Sequence, residues 1–207
     1  MVKEQRFYLI RHGESLGNIG LDAGLDPALS PNGHAQVKKC AAFIRDICTG
    51  TGVIYTSPLE RCIVTAEAIY RATDFPVKLE PDLHEYFPFN MVHSKKLKFE
   101  TLTEKRDKFK FLILPAGYQD QWWPSSGEKP ADLGLRISIF RNRLLREERD
   151  TDNIICIGHW CSVKALAEAF IPGVELQYVA NAAVTSIVKK EDGSFELDFV
   201  NQTYHQF

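Results

Sequence analysis

Apolar runs too short for anything but buried strands alternate along this chain with stripes at helical spacing, and that alternation limits the folds open to it. Phe7-Tyr8-Leu9-Ile10 reads as a buried strand. Ser30-Pro31 then opens a helix, with serine at the N-cap and proline at the first helical position. Val37, Cys40, Ala41, Ile44 and Ile47 give that helix its apolar face. Val53-Ile54-Tyr55 predicts a second strand, and Ser57-Pro58 repeats the capping signal ahead of the stripe Leu59, Cys62, Ala66 and Ile69. Val77-Lys78-Leu79 is a short third strand. Asn153 to Ile157 predicts a fully buried strand, followed by a helix marked by Val163, Leu166, Ala167 and Phe170. Thr185–Lys190 and Glu196–Asn201 read as a closing hairpin across Asp192-Gly193. Strands alternating with helices imply an α/β protein with a mixed, mostly parallel sheet flanked by helices in three layers. Residues 86–128 break the rhythm with a lysine-rich stretch, several prolines and Trp122-Trp123, and read as an insertion over one sheet edge.

The 207 residues suit a single domain spanning 1–207 with room for that insertion. A hydrophobic share of 44% beside 25% charged residues belongs to a packed globular chain. Twenty-five basic against 27 acidic residues leave a net charge of −2, which excludes the dominant basic surface of a nucleic-acid binder. No apolar run approaches the roughly 18 residues that span a bilayer, so no membrane partner is expected. Met1 to Phe7 lack the apolar core of a secretory signal. Five cysteines, an odd number with no Cys-x-x-Cys pair, predict free thiols, and with them a reducing, cytoplasmic setting.

Ligands of open α/β sheets bind at the carboxyl ends of strands. At those ends stand Arg11-His12-Gly13-Glu14-Ser15, Ser57 to Arg61, His84-Glu85 and Gly158-His159. Two arginines, histidines and a glutamate near helix starts suit phosphoryl transfer. Arg11 and Arg61 offer planar forks that match phosphate oxygens. Helix N-termini after Gly13 and after His159 offer free N–H groups. A neutral histidine can take the phosphoryl group as a phosphoramidate, and a protonated glutamate can protonate the leaving oxygen. Such a site needs no metal and no cofactor. Other chemistries lack their spacing. No cysteine has an arginine six residues on, and Asp150-Thr151-Asp152 precedes a strand instead of ending one. Walker A, Gly-x-Gly-x-x-Gly, Gly-x-Ser-x-Gly and His-Glu-x-x-His runs do not occur.

Read together, these segments resemble the histidine phosphatase superfamily, the phosphoglycerate-mutase-like enzymes. Leu9-Ile10-Arg11-His12-Gly13-Glu14-Ser15 with Asn18 is similar to its opening signature. Leu29-Ser30-Pro31-Asn32-Gly33, Ser57 to Arg61 with Thr65-Ala66, Ser126-Gly127-Glu128, Gly158-His159 and Asn181 to Val184 resemble later segments in order. Lys129 stands where the family has a serine after Gly-Glu. The resemblance implies that His12 is the phosphorylated nucleophile. Arg11, Arg61 and His159 would bind the phosphoryl group, and Glu85 would be the proton donor. Asn18 and Ser15 would hydrogen-bond phosphate oxygens, and Glu128 would bind substrate. Glu80, Asp82 and Glu128 are fallback donors. Glu14 and Trp160 depart from the acid phosphatase and phytase pattern, and Tyr86-Phe87-Pro88-Phe89 departs from the run that follows the donor in mutases. The expected activity is therefore a metal-independent phosphatase acting on a small phosphorylated substrate or a phosphoprotein. A mutase, or a binding module without turnover, is the alternative. The seven basic against three acidic residues of 95–110 read as a solvated helix face in preference to substrate steering, and Trp122-Trp123 as packing.

Overall fold

A computed structural model describes residues 4–204, apart from Ala23 and Lys96. Seven strands form one sheet: β1 (Gln5–Arg11), β2 (Gly52–Thr56), β3 (Val77–Leu79), β4 (Leu112–Ile113), β5 (Asn153–Gly158), β6 (Val184–Lys189) and β7 (Phe195–Gln202), in the order β4-β3-β2-β5-β1-β6-β7. The first five in that order run parallel, while β6 is antiparallel to β1 and to β7. The sheet is thus mixed and mostly parallel, as expected, and β6–β7 is the closing hairpin.

Six α-helices cover it: α1 (Pro31–Ile47), α2 (Glu60–Thr73), α3 (Phe89–Lys95), α4 (Leu102–Lys108), α5 (Pro130–Glu147) and α6 (Trp160–Phe170). Side chains alternate faces along each strand. Tyr8 and Ile10 join a core with α1, α2 and the 86–128 segment, whereas Phe7 and Leu9 join a second core with α5 and α6. Ile155 and Ile157 belong to the first core and Ile154 and Cys156 to the second. That alternation makes three layers. Both faces of β5 are buried, which is why its sequence is an unbroken apolar run.

The segment 86–128 contains more regular structure than its composition suggested. It supplies α3, α4 and β4, the last pairing parallel with β3 at the sheet edge. Its ends are drawn together, because Pro88 bridges Glu128 and the Glu128 N–H donates to the Phe87 carbonyl at 2.8 Å. Its tryptophans pack as expected: Trp122 is buried, with its indole N–H on the Glu100 carbonyl.

Two local readings differ. Ser30 does cap α1, accepting from the Gly33 N–H at 2.9 Å, but Ser57-Pro58 does not cap α2. That helix starts at Glu60, and its first N–H is received by Asp26, at 2.9 and 3.0 Å from the two carboxylate oxygens. No helix follows Gly13 either, since α1 begins only at Pro31.

The loop after β1 is pressed onto α1. A Cβ at Gly33 would stand 2.0 Å from the Glu14 carbonyl oxygen, inside any real contact. Ser30 donates its hydroxyl proton to Glu14 at 2.5 Å, and the Glu14 N–H donates to Gln36. We expect Gly33→Ala to cost about 1–3 kcal/mol through forced displacement of the Glu14 backbone. Urea unfolding of the variant measures this, and an unchanged midpoint would show that the loop gives way freely.

Candidate active site

The carboxyl ends of β1, β2, β3 and β5 lie side by side in the sheet, so segments far apart in sequence meet at one edge. His12 follows β1 directly. Its N–H donates to the Gly158 carbonyl at 3.0 Å, and its own carbonyl accepts from the Ala182 N–H and from the Asn181 amide, each at 3.1 Å. The ring is buried. Nδ1 lies 2.7 Å from the Gly13 carbonyl, which can only accept, so Nδ1 carries the proton and Nε2 presents a lone pair.

Arg61, in the first turn of α2, meets that lone pair. Its Nε donates to His12 Nε2 at 3.2 Å, and its Nη2 donates to His159 Nδ1 at 3.2 Å. His159 therefore accepts through Nδ1, and its Nε2 donates to the Ser57 hydroxyl at 2.9 Å. Ser57, expected as a helix cap, instead fixes the tautomer of the second histidine. Burial is the main force that holds both imidazoles well below the ordinary histidine value, and the Arg61 charge adds to it. Both rings are neutral at pH 7. The two stand edge to face, with ring centroids 5.1 Å apart.

Arg11, at the end of β1, donates to the Val179 carbonyl at 2.8 Å and lies over the Trp160 ring at 5.4 Å. Its Nε is buried without an acceptor among the described residues. Glu85 sits beside the start of α6, its Oε1 accepting from the Cys161 N–H at 3.2 Å and from the Tyr86 N–H at 2.8 Å. Helix α6 begins at Trp160, immediately after His159, so one of the two helix N-termini expected near the site is present.

The remaining expected residues divide. Asn18 accepts from the Asn181 amide at 3.1 Å, which ties the β1 loop to the loop before β6. Ser15 is buried in the turn it makes with Asn18, its hydroxyl donating to Asn18 Oδ1 at 3.1 Å. Glu128 is held away from solvent by Arg136, whose Nε donates to it at 2.6 Å, and it also receives the Phe87 N–H. Its oxygens therefore brace the loop that carries Glu85. Arg136 makes further bonds to the Asp82, His84 and Glu85 carbonyls. Among the fallback donors, Glu80 is buried against Arg143 at 2.5 Å, and Asp82 shares that arginine at 3.4 Å.

The sequence marks neither Asp26 nor Arg136, and it gives Thr65 only as part of a resembling segment, without a role. Thr65 accepts the Gly13 N–H at 3.2 Å and donates to the Arg61 carbonyl at 2.8 Å, so it joins the loop after β1 to helix α2. An Asp-Pro pair such as Asp26-Pro27 signals only a turn, and nothing nearby ties it to a helix that starts 34 positions later. All five cysteines are free thiols. None of the described helices is long and apolar enough to cross a membrane.

Residues 7–203 match the sequence profile of the histidine phosphatase superfamily, branch 1. The chain belongs to that superfamily. It is 28% identical over 173 residues to human 6-phosphofructo-2-kinase/fructose-2,6-bisphosphatase 4, a match covering 82% of this chain and 34% of that protein. The chain thus spans about a third of the length of this curated relative, 34%. It is 27% identical over 161 residues to the adenosylcobalamin/alpha-ribazole phosphatase of Escherichia coli (strain K12), covering 74% of this chain and 73% of the other. Among solved structures, an ecdysone phosphate phosphatase from Bombix mori superposes with a TM-score of 0.74 at 18% identity, over 95% of this chain and 93% of that one. A mycobacterial glucosyl-3-phosphoglycerate phosphatase gives a TM-score of 0.70 at 20% identity, over 97% and 100%. These superpositions establish the shared fold.

Three buried histidines make stability depend on pH. His12 and His159 titrate well below 6.5, and burial pushes His84 down to about 4, whereas the unfolded chain takes up those protons near 6.5. Acidification below about 6.5 therefore favours unfolding, by up to about 1.4 kcal/mol per pH unit per histidine. Glu80 works the other way, because burial raises it from 4.5 to about 7 and the folded state binds its proton first. The urea midpoint should fall between pH 7 and 5, and fall more steeply in Glu80→Gln. A flat profile in both proteins would show that the histidines are not buried neutral.

Proposed function

We propose that this protein is a phosphatase that hydrolyses small phosphate monoesters through a phosphohistidine on His12, with no metal ion or cofactor required. The observation that carries this reading is the Nε2 lone pair of a neutral, buried imidazole, held in a fixed tautomer against the Arg61 guanidinium. An uncharged imidazole is a nucleophile, while an imidazolium is not. The adjacent arginine marks where an anion would bind, and a phosphoryl oxygen would take over the donor that Arg61 now points at His12.

In the proposed reaction the phosphoryl group sits among Arg11, Arg61, His159 and the N-terminal turn of α6. Arg11 Nε, buried without an acceptor among the described residues, is a donor that a phosphoryl oxygen would satisfy. As the His12 nitrogen bonds to phosphorus, the bond from phosphorus to the ester oxygen breaks, and Glu85 delivers its proton to that oxygen. Water then attacks the phosphorus and gives a proton to the Glu85 carboxylate. The N–P bond breaks, and inorganic phosphate leaves with His12 restored. Fixed positive charge is matched to the equatorial oxygens throughout. Asn18 would contact a phosphate oxygen through its amide, because its carbonyl is already engaged by Asn181 and Ser15.

Two relatives of this chain carry phosphatase or bisphosphatase in their names, which supports hydrolysis of a phosphate ester. The run Tyr86-Phe87-Pro88-Phe89 after the donor favours hydrolysis over a mutase. Five free thiols agree with a cytoplasmic setting.

Hydrolysis of an aryl phosphate in excess EDTA should proceed in the wild type and fall by roughly 10³-fold or more in His12→Ala. Full activity in that variant would place the nucleophile elsewhere. Glu85→Gln should slow esters of poor leaving groups far more than aryl esters. Equal slowing of both would remove Glu85 as the acid.

A further inference from the structure

The lysine-rich stretch of the insertion was expected to be a solvated face, and one of its members is not. Helix α4 carries a capping box between Thr101 and Glu104, and its inward face holds Leu102 and Lys105. Lys105 has a side-chain exposure of only 2%. A buried ammonium is costly unless it is paired. Its partners are Asp26 at 3.0 Å and Glu100 at 2.9 Å. Asp26 in turn receives the Glu60 N–H on both oxygens and faces Arg61 Nη1 at 3.5 Å. One residue therefore grips Arg61 twice, by the backbone turn that carries it and by its guanidinium. A second cation of the same helix, Lys108, pairs with Glu60 at 2.7 Å and adds another tie between α4 and the start of α2.

We infer that Asp26 and Lys105 are positioning residues, through which the insertion sets the aim and the effective charge of Arg61. The inference rests on the reading of Arg61 as a phosphoryl ligand. Its physical basis is a conflict. A carboxylate is a good anchor for a guanidinium, but its negative charge opposes binding of a phosphate beside the same group. Lys105 resolves the conflict by holding Asp26 Oδ2, while Oδ1 faces Arg61, and by offsetting the carboxylate charge inside the protein, where solvent screens little. The carboxylate can then orient Arg61 without repelling the substrate. The sequence gives no local hint of this, because Asp26 and Lys105 lie 79 positions apart.

The test is the inhibition constant of inorganic phosphate, measured with folded full-length variants against aryl phosphate hydrolysis. Lys105→Met should weaken phosphate binding roughly tenfold, by leaving the Asp26 charge uncompensated. Adding Asp26→Asn to that variant should recover most of the lost affinity, since the uncompensated charge that faces Arg61 is gone, while Glu100 keeps Lys108 at 3.8 Å. A lysine that merely held the insertion in place would not be replaced by a change at position 26. Lys105→Gln, which can still donate to Asp26 but carries no charge, should show the same weakening and serves if Lys105→Met does not fold. Arg61→Met provides the control. Lost phosphate binding in Arg61→Met, together with an unchanged constant in both Lys105 variants, overturns this inference alone. Unchanged phosphate binding in Arg61→Met overturns the functional reading and this inference with it. Weakening in Lys105→Met that Asp26→Asn fails to relieve would assign Lys105 to scaffold only.

Discussion

A guanidinium that cannot lose its proton is placed between two imidazoles that must not gain one. The rest of the site follows from that constraint. Because Arg61 only donates, it fixes the accepting nitrogen on His12 and on His159, and so it decides the protonation pattern of both rings. The Gly13 carbonyl and the Ser57 hydroxyl complete those assignments from the far side of each ring. Burial alone would favour neutral histidines, but it would not say which nitrogen is free. The arginine and the two distal partners do, and they come from the ends of β1 and β2 and the start of α2. A parallel sheet brings those ends to one edge without further adjustment.

Much of this was legible in the sequence, for identifiable reasons. β1, β2 and β5 announce themselves because strands buried on both faces need unbroken apolar runs, and α1 because Ser30-Pro31 is a local capping device. The residues His12, Arg61 and His159 could be placed because each follows a strand closely. Features that depend on distant partners were not legible. Asp26 caps α2 from another loop, so Ser57-Pro58 looked like the cap in its place. Glu128 looked like a substrate contact because its neighbours resemble a family segment, yet its bonds to Arg136 depend on where α5 passes. Lys105 looked solvated because a charge run carries no sign of the one member that turns inward. The α5 helix itself went unmarked, since only Ile137, Phe140 and Leu144 of its 18 residues are buried.

The 86–128 segment, expected to be an insertion, is closed at its base and tied down at its far side. Pro88 and Glu128 meet at its neck, where Arg136 gathers the Asp82, His84 and Glu85 carbonyls around the same carboxylate. The loop of the proposed acid is therefore set by the neck of the insertion. The arginine helix is contacted by the insertion's own helix α4. Changes in the length or composition of this segment reach the proposed phosphoryl pocket from two sides without touching a substrate.

The pairing of β1 also has a kinetic meaning. Its two neighbours are β5, in register from Arg6 against Asn153, and β6, in register from Gln5 against Lys189. Both are made long after β1 itself. At ribosomal rates of about 5–20 residues per second, an interval on the order of ten seconds separates the strand from its first partner. During that interval its four apolar residues, Phe7 to Ile10, lack both of their native neighbours. The strand that leads into the proposed nucleophile is thus the one of the seven that waits longest for its first sheet partner. Contacts of such long sequence separation fold slowly, so the same topology that gathers the site at one edge makes its assembly a late event in the life of the chain.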